Sequence, residues 1–105
     1  MTFHEIVGKV REKFATADVT GIPGKIAAQF NLTGEGEGAF YAEVKDGKLS
    51  IEPYEYYDRD VLITISGENL LKMLDGKLNP ITAYTLGKLR VQGNLDAALE
   101  IVKFM

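Results

Sequence analysis

The sequence contains no cysteine and no tryptophan, and its only histidine is His4. The absence of cysteine excludes disulfide bonds, thiolate nucleophiles and zinc–thiolate sites, so stability has to come from packing. No apolar run is long enough to span a bilayer, and the first ten residues, which include His4, Glu5 and Lys9, lack a signal-peptide pattern. We therefore predict a cytoplasmic protein without a transmembrane segment.

The chain also lacks an excess of positive charge. It has 12 basic and 15 acidic residues, which gives a net charge of −3. This balance argues against nucleic acid as a partner and against electrostatic attachment to anionic membranes. A length of 105 residues with 46% hydrophobic residues is typical of one soluble domain, so residues 1–105 are predicted to form a single domain with one core.

Residues suited to catalysis are scarce. His4 lies on the predicted polar side of the first helix, and neither Ser50 nor Ser66 lies in a Gly-x-Ser-x-Gly motif. An activated nucleophile needs an adjacent base, and the sequence offers no such pair. We predict no catalytic residues, no cofactor and no enzymatic activity.

Two loop-like stretches were considered as ligand sites. The glycine-rich segment 34–38 carries Glu35 and Glu37, which would repel a phosphate, so a flexible hairpin loop is the better interpretation. Segment 53–60 is rich in tyrosine and acid, but its spacing matches no calcium-binding loop. We expect a solvated loop with tyrosines against the sheet edge, and no metal site.

Hydrophobic periodicity defines the first two thirds of the chain. Thr2 and Glu5 form a capping-box pattern that predicts a helix from Thr2 to Ala15. Alternation then predicts four strands, each with one buried face. The residues expected on the buried face are Ile26, Ala28, Phe30, Leu32, Phe40, Ala42, Val44, Leu49, Ile51, Val61, Ile63 and Ile65. A second helix with Leu70, Leu71 and Leu74, flanked by Met73, is expected to end at Gly76.

The last part of the chain predicts a helix, a strand and a helix with little linker between them. Pro80 suits the first position of a short helix, and Gly87 suits its end. Residues 88–92 alternate as in a strand that ends at Gly93. Asn94 can then cap a final helix. Its expected buried stripe is Leu95, Ala98, Leu99 and Val102, and Ala97, Ile101, Phe104 and Met105 widen the apolar surface.

The order of these features resembles the sterol carrier protein type two family of small lipid-binding domains. The matching residues are Pro80, Tyr84, Gly87-Lys88-Leu89-Arg90-Val91-Gln92-Gly93-Asn94 and Asp96-Ala97-Ala98-Leu99. Asn94 replaces the aspartate that is frequent in the family, and both residue types cap helices. The resemblance covers essentially the whole chain. Peroxisomal members end in a Ser-Lys-Leu type signal, whereas this chain ends in Val102-Lys103-Phe104-Met105.

The periodicity predicts an α+β fold with a five-stranded, mostly antiparallel sheet and helices packed on one face. The family resemblance implies the same architecture. It also implies a lipid tunnel between the sheet and the helices, which periodicity alone does not show.

Small side chains in the predicted sheet bear on that tunnel. Ala28 and Ala42 occupy inward positions of neighbouring strands, where larger residues are usual. Either they leave space for a ligand or a helix approaches closely there. With the resemblance, we favour a cavity. The candidate lipid-binding residues, chosen because the pattern points them inward, are Ile26, Ala28, Phe30, Phe40, Ala42, Met73, Leu74, Tyr84, Leu86, Leu99 and Met105.

The sequence thus favours a non-enzymatic protein that binds, and in one reading transfers, fatty acids, fatty acyl-CoA, phospholipids or sterols. Its predicted partner is a lipid or fatty acyl ligand. The alternative is an interaction or scaffold module with the same fold and no open cavity, which self-associates through the wide last helix or the tyrosine-rich loop. This alternative leaves a homodimer open.

Overall fold

A computed structural model describes residues 1–105 and contains four helices and five strands. The elements in chain order are α1 (Phe3–Phe14), β1 (Lys25–Thr33), β2 (Gly38–Lys45), β3 (Lys48–Glu52), β4 (Val61–Ser66), α2 (Gly67–Leu74), α3 (Pro80–Thr85), β5 (Leu89–Gly93) and α4 (Leu95–Val102). The strand order in the sheet is β3-β2-β1-β4-β5. Only β1 and β4 pair in parallel, so the predicted five-stranded, mostly antiparallel α+β fold is confirmed.

The helices begin where the sequence predicts, because their caps are formed by side chains. The Thr2 hydroxyl accepts a hydrogen bond from the Glu5 N–H, and the Glu5 carboxylate accepts one from the Thr2 N–H. Ser66 and Asn94 cap α2 and α4 in the same way, through the N–H groups of Asn69 and Ala97. Each cap satisfies amides that have no partner within the helix.

One face of the sheet packs against the helices in a single core. The ring planes of Phe30 and Phe40 are stacked with centroids 4.8 Å apart, and the two residues are direct partners across β1 and β2. Ala28 and Ala42 form the neighbouring pair of partners, and both are fully buried in the same core cluster. No open pocket is found beneath these two alanines among the five principal pockets of the structure. The two alanines are packed core in this conformation, and a ligand cavity at this position stays a prediction.

The opposite face of the sheet is also partly covered, which corrects the expectation that every strand has one exposed face. Ala27 and Gln29 alternate with the helix-facing residues of β1, yet both are buried. The connection between β3 and β4 crosses this outer face. Gln29 Oε1 accepts a hydrogen bond from the Tyr56 N–H at 3.0 Å, and Asp60 Oδ2 accepts one from the Ala27 N–H at 2.8 Å. The parallel pairing of β1 with β4 requires this crossing, because the chain must travel from the edge strand β3 past β2 and β1.

The orientation of α4 differs from the predicted stripe by part of a turn. Ala97, Ala98, Ile101 and Val102 are its buried residues. Leu95 and Leu99, which the spacing placed in the core, are exposed instead. Asp96 and Glu100 lie one turn apart on the side of α4 that faces away from the core, so the predicted stripe was wrong because it followed the leucines and not these two acids.

Candidate functional site

An open groove of about 410 Å³ lies between the start of α3 and the end of α4. Its lining residues are Asn79, Pro80, Ile81, Leu99, Val102, Lys103 and Met105. Pockets that bind small molecules have volumes of roughly 300 to 1,000 Å³ and are mostly apolar with a few polar groups. The groove therefore has the size and the composition of a ligand site.

The groove is part of a wider exposed apolar surface. Eight large hydrophobic side chains are exposed in the protein, and five of them belong to the α3–α4 region. These five are Ile81, Tyr84, Leu86, Leu95 and Leu99. Helix α3 buries only Ala83, so it presents Ile81 and Tyr84, which are three residues apart, away from the core. Clustered exposed apolar residues of this kind mark sites that contact a ligand, a partner or a membrane.

Two hydrogen-bond donors lie at the polar rim of the groove. Asn79 Oδ1 accepts hydrogen bonds from the N–H groups of Ile81 and Thr82, which leaves the side-chain NH₂ of Asn79 without a partner in the protein. Lys103 Nζ lies 2.7 Å from Glu100 Oε2. An amide NH₂ and an ammonium group both donate hydrogen bonds. The rim therefore suits a ligand whose polar end accepts hydrogen bonds, such as a carboxylate or an ester.

The structure divides the predicted lipid-binding residues into two groups. Leu99 and Met105 line the groove, and Tyr84 and Leu86 lie on the exposed surface of α3 and its end. The others lie in the core or at its margin: Ile26, Ala28, Phe30, Phe40, Ala42, Met73 and Leu74. The expectation that all of them point inward is wrong for Tyr84, Leu86 and Leu99, which are 45%, 62% and 37% exposed.

Sequence reasoning missed several groove residues. Ile81, Val102 and Lys103 line the groove but were not selected as lipid-binding candidates. The signal that could have identified Ile81 is the short length of α3, since a helix of six residues around one buried alanine cannot bury both Ile81 and Tyr84.

The residues considered for catalysis have structural roles or lie on the surface. His4 is exposed and its ring lies edge-on to Phe3. Ser66 Oγ caps α2, and the Asp60 carboxylate, at the end of the acidic segment 53–60, accepts a hydrogen bond from the backbone of β1. No group of three or more histidine, aspartate or glutamate side chains is arranged to hold a metal ion. No helix has the length and apolar character needed to cross a bilayer.

Comparison with known structures shows that the fold is of the sterol carrier protein 2 type. The solution NMR structure of palmitated SCP2L2 from Aedes aegypti superimposes with a TM-score of 0.72 at 20% identity, covering 98% of this chain and 93% of that one. A model of the SCP-2 sterol transfer family matches residues 5–105. The chain belongs to the SCP-2 sterol transfer family, which confirms the resemblance seen in the sequence.

Relatives at higher identity are longer proteins. Hydroxysteroid dehydrogenase-like protein 2 of Rattus norvegicus is 36% identical over 78 residues, which is 73% of this chain and 15% of that protein. Sterol carrier protein 2 of Bos taurus is 37% identical over 65 residues, which is 62% of this chain and 12% of that protein. The chain thus spans less than a fifth of the length of these relatives.

Proposed function

We propose that the protein binds a lipid with an acyl or sterol tail in the groove between α3 and α4, without catalysing a reaction. The observation that carries this proposal is the open apolar groove, lined by Ile81, Leu99, Val102 and Met105, on a domain of a lipid-transfer family. The related Aedes aegypti protein, whose structure is described as palmitated, supports a fatty acid as the first ligand to test.

The geometry favours a tail in the groove and a polar end at its rim. Burial of a methylene group contributes about 0.8 kcal/mol, so full burial of a chain of about 16 carbons gives at most about 12 kcal/mol. Association and ordering cost about 4 to 15 kcal/mol. An open groove covers only part of such a chain. Tight binding therefore requires α4 to shift and admit the tail toward the core beneath Val102 and Met105.

The fully buried candidates belong to this second stage of the proposal. Ala28, Ala42, Phe30 and Phe40 lie in the core in the present conformation. A tail that enters beneath α4 would contact the sheet face, because α4 packs on β1 and β4. Met73 and Met105 suit such a rearrangement, since unbranched thioether side chains repack readily.

A titration of the delipidated protein with a fluorescent fatty acid tests this function. We expect saturable binding at micromolar concentration with a stoichiometry of one. Fatty acyl-CoA, a phospholipid and a sterol, each used as an unlabelled competitor, rank the ligand classes. The absence of saturable binding for every class would reject the proposal.

A cytoplasmic location and a homodimer stay predictions from the sequence. Cell fractionation and sedimentation measure them. The exposed apolar surface of α3 and α4 favours self-association as the second candidate function. A concentration-dependent mass together with an absence of lipid binding would support that candidate over the carrier.

A further inference from the structure

A second pocket, of about 350 Å³, lies at the junction of α3 and β5 and differs from the groove in chemistry. It is lined by Thr33, Thr64, Ile65, Ser66, Asn69, Gly87, Lys88 and Arg90. Lys88 and Arg90 are exposed, and neither forms an ion pair within the protein. The sheet register sets Arg90 directly beside Thr64. Two free cations and several hydroxyl groups thus converge on one concave surface.

The pocket borders the end of α3, since Gly87 and Lys88 line it. Leu86 and Lys88 are separated only by Gly87, whose φ of +76° turns the chain from the helix toward β5. The Lys88 N–H donates a hydrogen bond to the Ala83 carbonyl at 2.9 Å, which holds the pocket against the end of α3. Exposed Leu86 and the unpaired cations Lys88 and Arg90 therefore follow one another closely in the chain at this junction.

The distribution of charge around α3 differs from that of the whole chain. Residues 76–95 include Lys77, Lys88 and Arg90 and no aspartate or glutamate, although the net charge of the protein is −3. Glu68, in the first turn of α2, is paired with Lys72 at 3.4 Å and does not line the pocket. The lining of this pocket therefore carries two basic side chains and no acidic one, although the whole chain is acidic.

From this arrangement we propose that the α3–β5 junction docks on an anionic phospholipid surface, with Tyr84 and Leu86 in the interface and a lipid phosphate between Lys88 and Arg90. Basic side chains are attracted to the negative potential of anionic lipids, and exposed aromatic and aliphatic side chains partition into the interfacial region. In a symmetric dimer this surface would face its own copy and bring Lys88 and Arg90 against like charges, whereas an anionic lipid surface complements both cations. The inference rests on the proposed function in one respect. Docking would bring the mouth of the α3–α4 groove, where we propose that the lipid binds, to a membrane that supplies the lipid.

Sedimentation of the full chain with vesicles tests the inference. We expect binding to phosphatidylcholine vesicles that contain phosphatidylserine, weaker binding to phosphatidylcholine alone, and release by salt. The double variant K88Q/R90Q should bind the anionic vesicles about 25-fold more weakly, since each basic side chain near such a surface contributes about fivefold. L86S should also weaken binding, through the apolar part of the contact.

The matched control is K45Q/K48Q, which makes the same change in charge at the exposed turn between β2 and β3. This control should retain vesicle binding, and both charge variants should retain fatty-acid binding in solution. Equal vesicle binding by K88Q/R90Q and the control would overturn the inference. So would a tighter response to inorganic phosphate in solution than to vesicles, or a concentration-dependent mass that L86S removes. Fatty-acid binding without vesicle binding would reject the docking site alone, whereas vesicle binding without fatty-acid binding would reject the proposed function alone.

Discussion

Ala28 and Ala42 face each other across β1 and β2, and both are fully buried against the helices. The short side chains let the core close at this point, between the stacked pair of Phe30 and Phe40 on one side and the pair of Ile26 and Val44 on the other. A substitution at this pair therefore tests the packing of the core before it tests the space for a ligand.

Ala42→Phe should therefore destabilise the protein rather than only block a ligand. Inserting a larger side chain into a packed core typically costs about 1 to 3 kcal/mol, and urea unfolding measures the change. Ala39→Phe is the matched control, since Ala39 lies in the same strand and is only partly buried. If Ala42→Phe keeps the stability of the parent and loses fatty-acid binding, open space exists beneath the sheet in solution.

Leu99→Gln should weaken fatty-acid binding about tenfold, because it removes apolar contact worth roughly 1.5 kcal/mol from the groove. Leu95→Gln serves as the control. Leu95 is exposed on the same helix one turn earlier and does not line the groove. The titration with a fluorescent fatty acid compares the two variants, and equal affinities would place the ligand elsewhere.

Gly93→Ala should lower the free energy of unfolding by at least about 2 kcal/mol, from backbone strain and a steric clash together. Gly93 has φ of +109°, and a Cβ there would lie 2.7 Å from the Asp60 carbonyl oxygen. Gly87→Ala is the control. Gly87 has φ of +76°, and a Cβ added there would meet no other atom, so this variant measures the cost of backbone strain without a clash. Thermal unfolding should show the smaller loss for Gly87→Ala; the reverse order would contradict the close approach of β5 to Asp60.

Tyr56→Phe should loosen the connection that covers the outer face of the sheet. The Tyr56 hydroxyl donates a hydrogen bond of 2.5 Å to Glu43 Oε2, and hydrogen bonds to charged groups contribute about 1.5 to 3 kcal/mol. Hydrogen exchange at the Tyr56 and Ala27 amides measures the loosening. Tyr57→Phe removes a hydroxyl from a fully exposed side chain in the same segment and should change neither amide.

Alkaline pH should destabilise the same outer face. Burial raises the pKa of Tyr41 above its ordinary value of 10.0, and the nearby carboxylates of Glu52 and Glu43 act in the same direction. A raised pKa means that the folded state favours the neutral phenol, so this contribution to stability is complete below about pH 10 and is lost as the pH rises through the raised pKa. Urea unfolding as a function of pH measures this loss, and Tyr41→Phe should flatten the fall of unfolding free energy above pH 10.

Most of the fold could be predicted from the sequence because caps, glycines and alternation are local signals. Thr2 and Asn94 cap helices as expected, and Gly93 ends β5. The buried outer face at Gln29 could not be predicted, because it depends on a connection 27 residues away in sequence. The predicted orientation of α4 was wrong because it followed Leu95 and Leu99, whereas Asp96 and Glu100 mark the side that faces away from the core.

The candidate site was predicted only in part, for a related reason. Leu99 and Met105 were selected because apolar residues usually face a core, and they line the groove that the short helix α3 leaves open. The assignment of Tyr84 and Leu86 as inward residues failed because a helix of six residues has room to bury one small side chain only. The groove is therefore located by the short length of α3, which leaves apolar residues at the end of α4 uncovered.

The β3–β4 connection, which crosses the outer face of the sheet, bears on how the protein folds during synthesis. The hydrogen bond from the Ala27 N–H to Asp60 Oδ2 joins residues 33 positions apart. Strand β1 gains its parallel neighbour only when β4 has been synthesised. Until then the central strand has an unpaired edge, which is a site for misassociation with other chains. Contacts of such long range slow folding. During synthesis, the emerging β1–β2–β3 meander should therefore be the stage at which this protein depends most on chaperones.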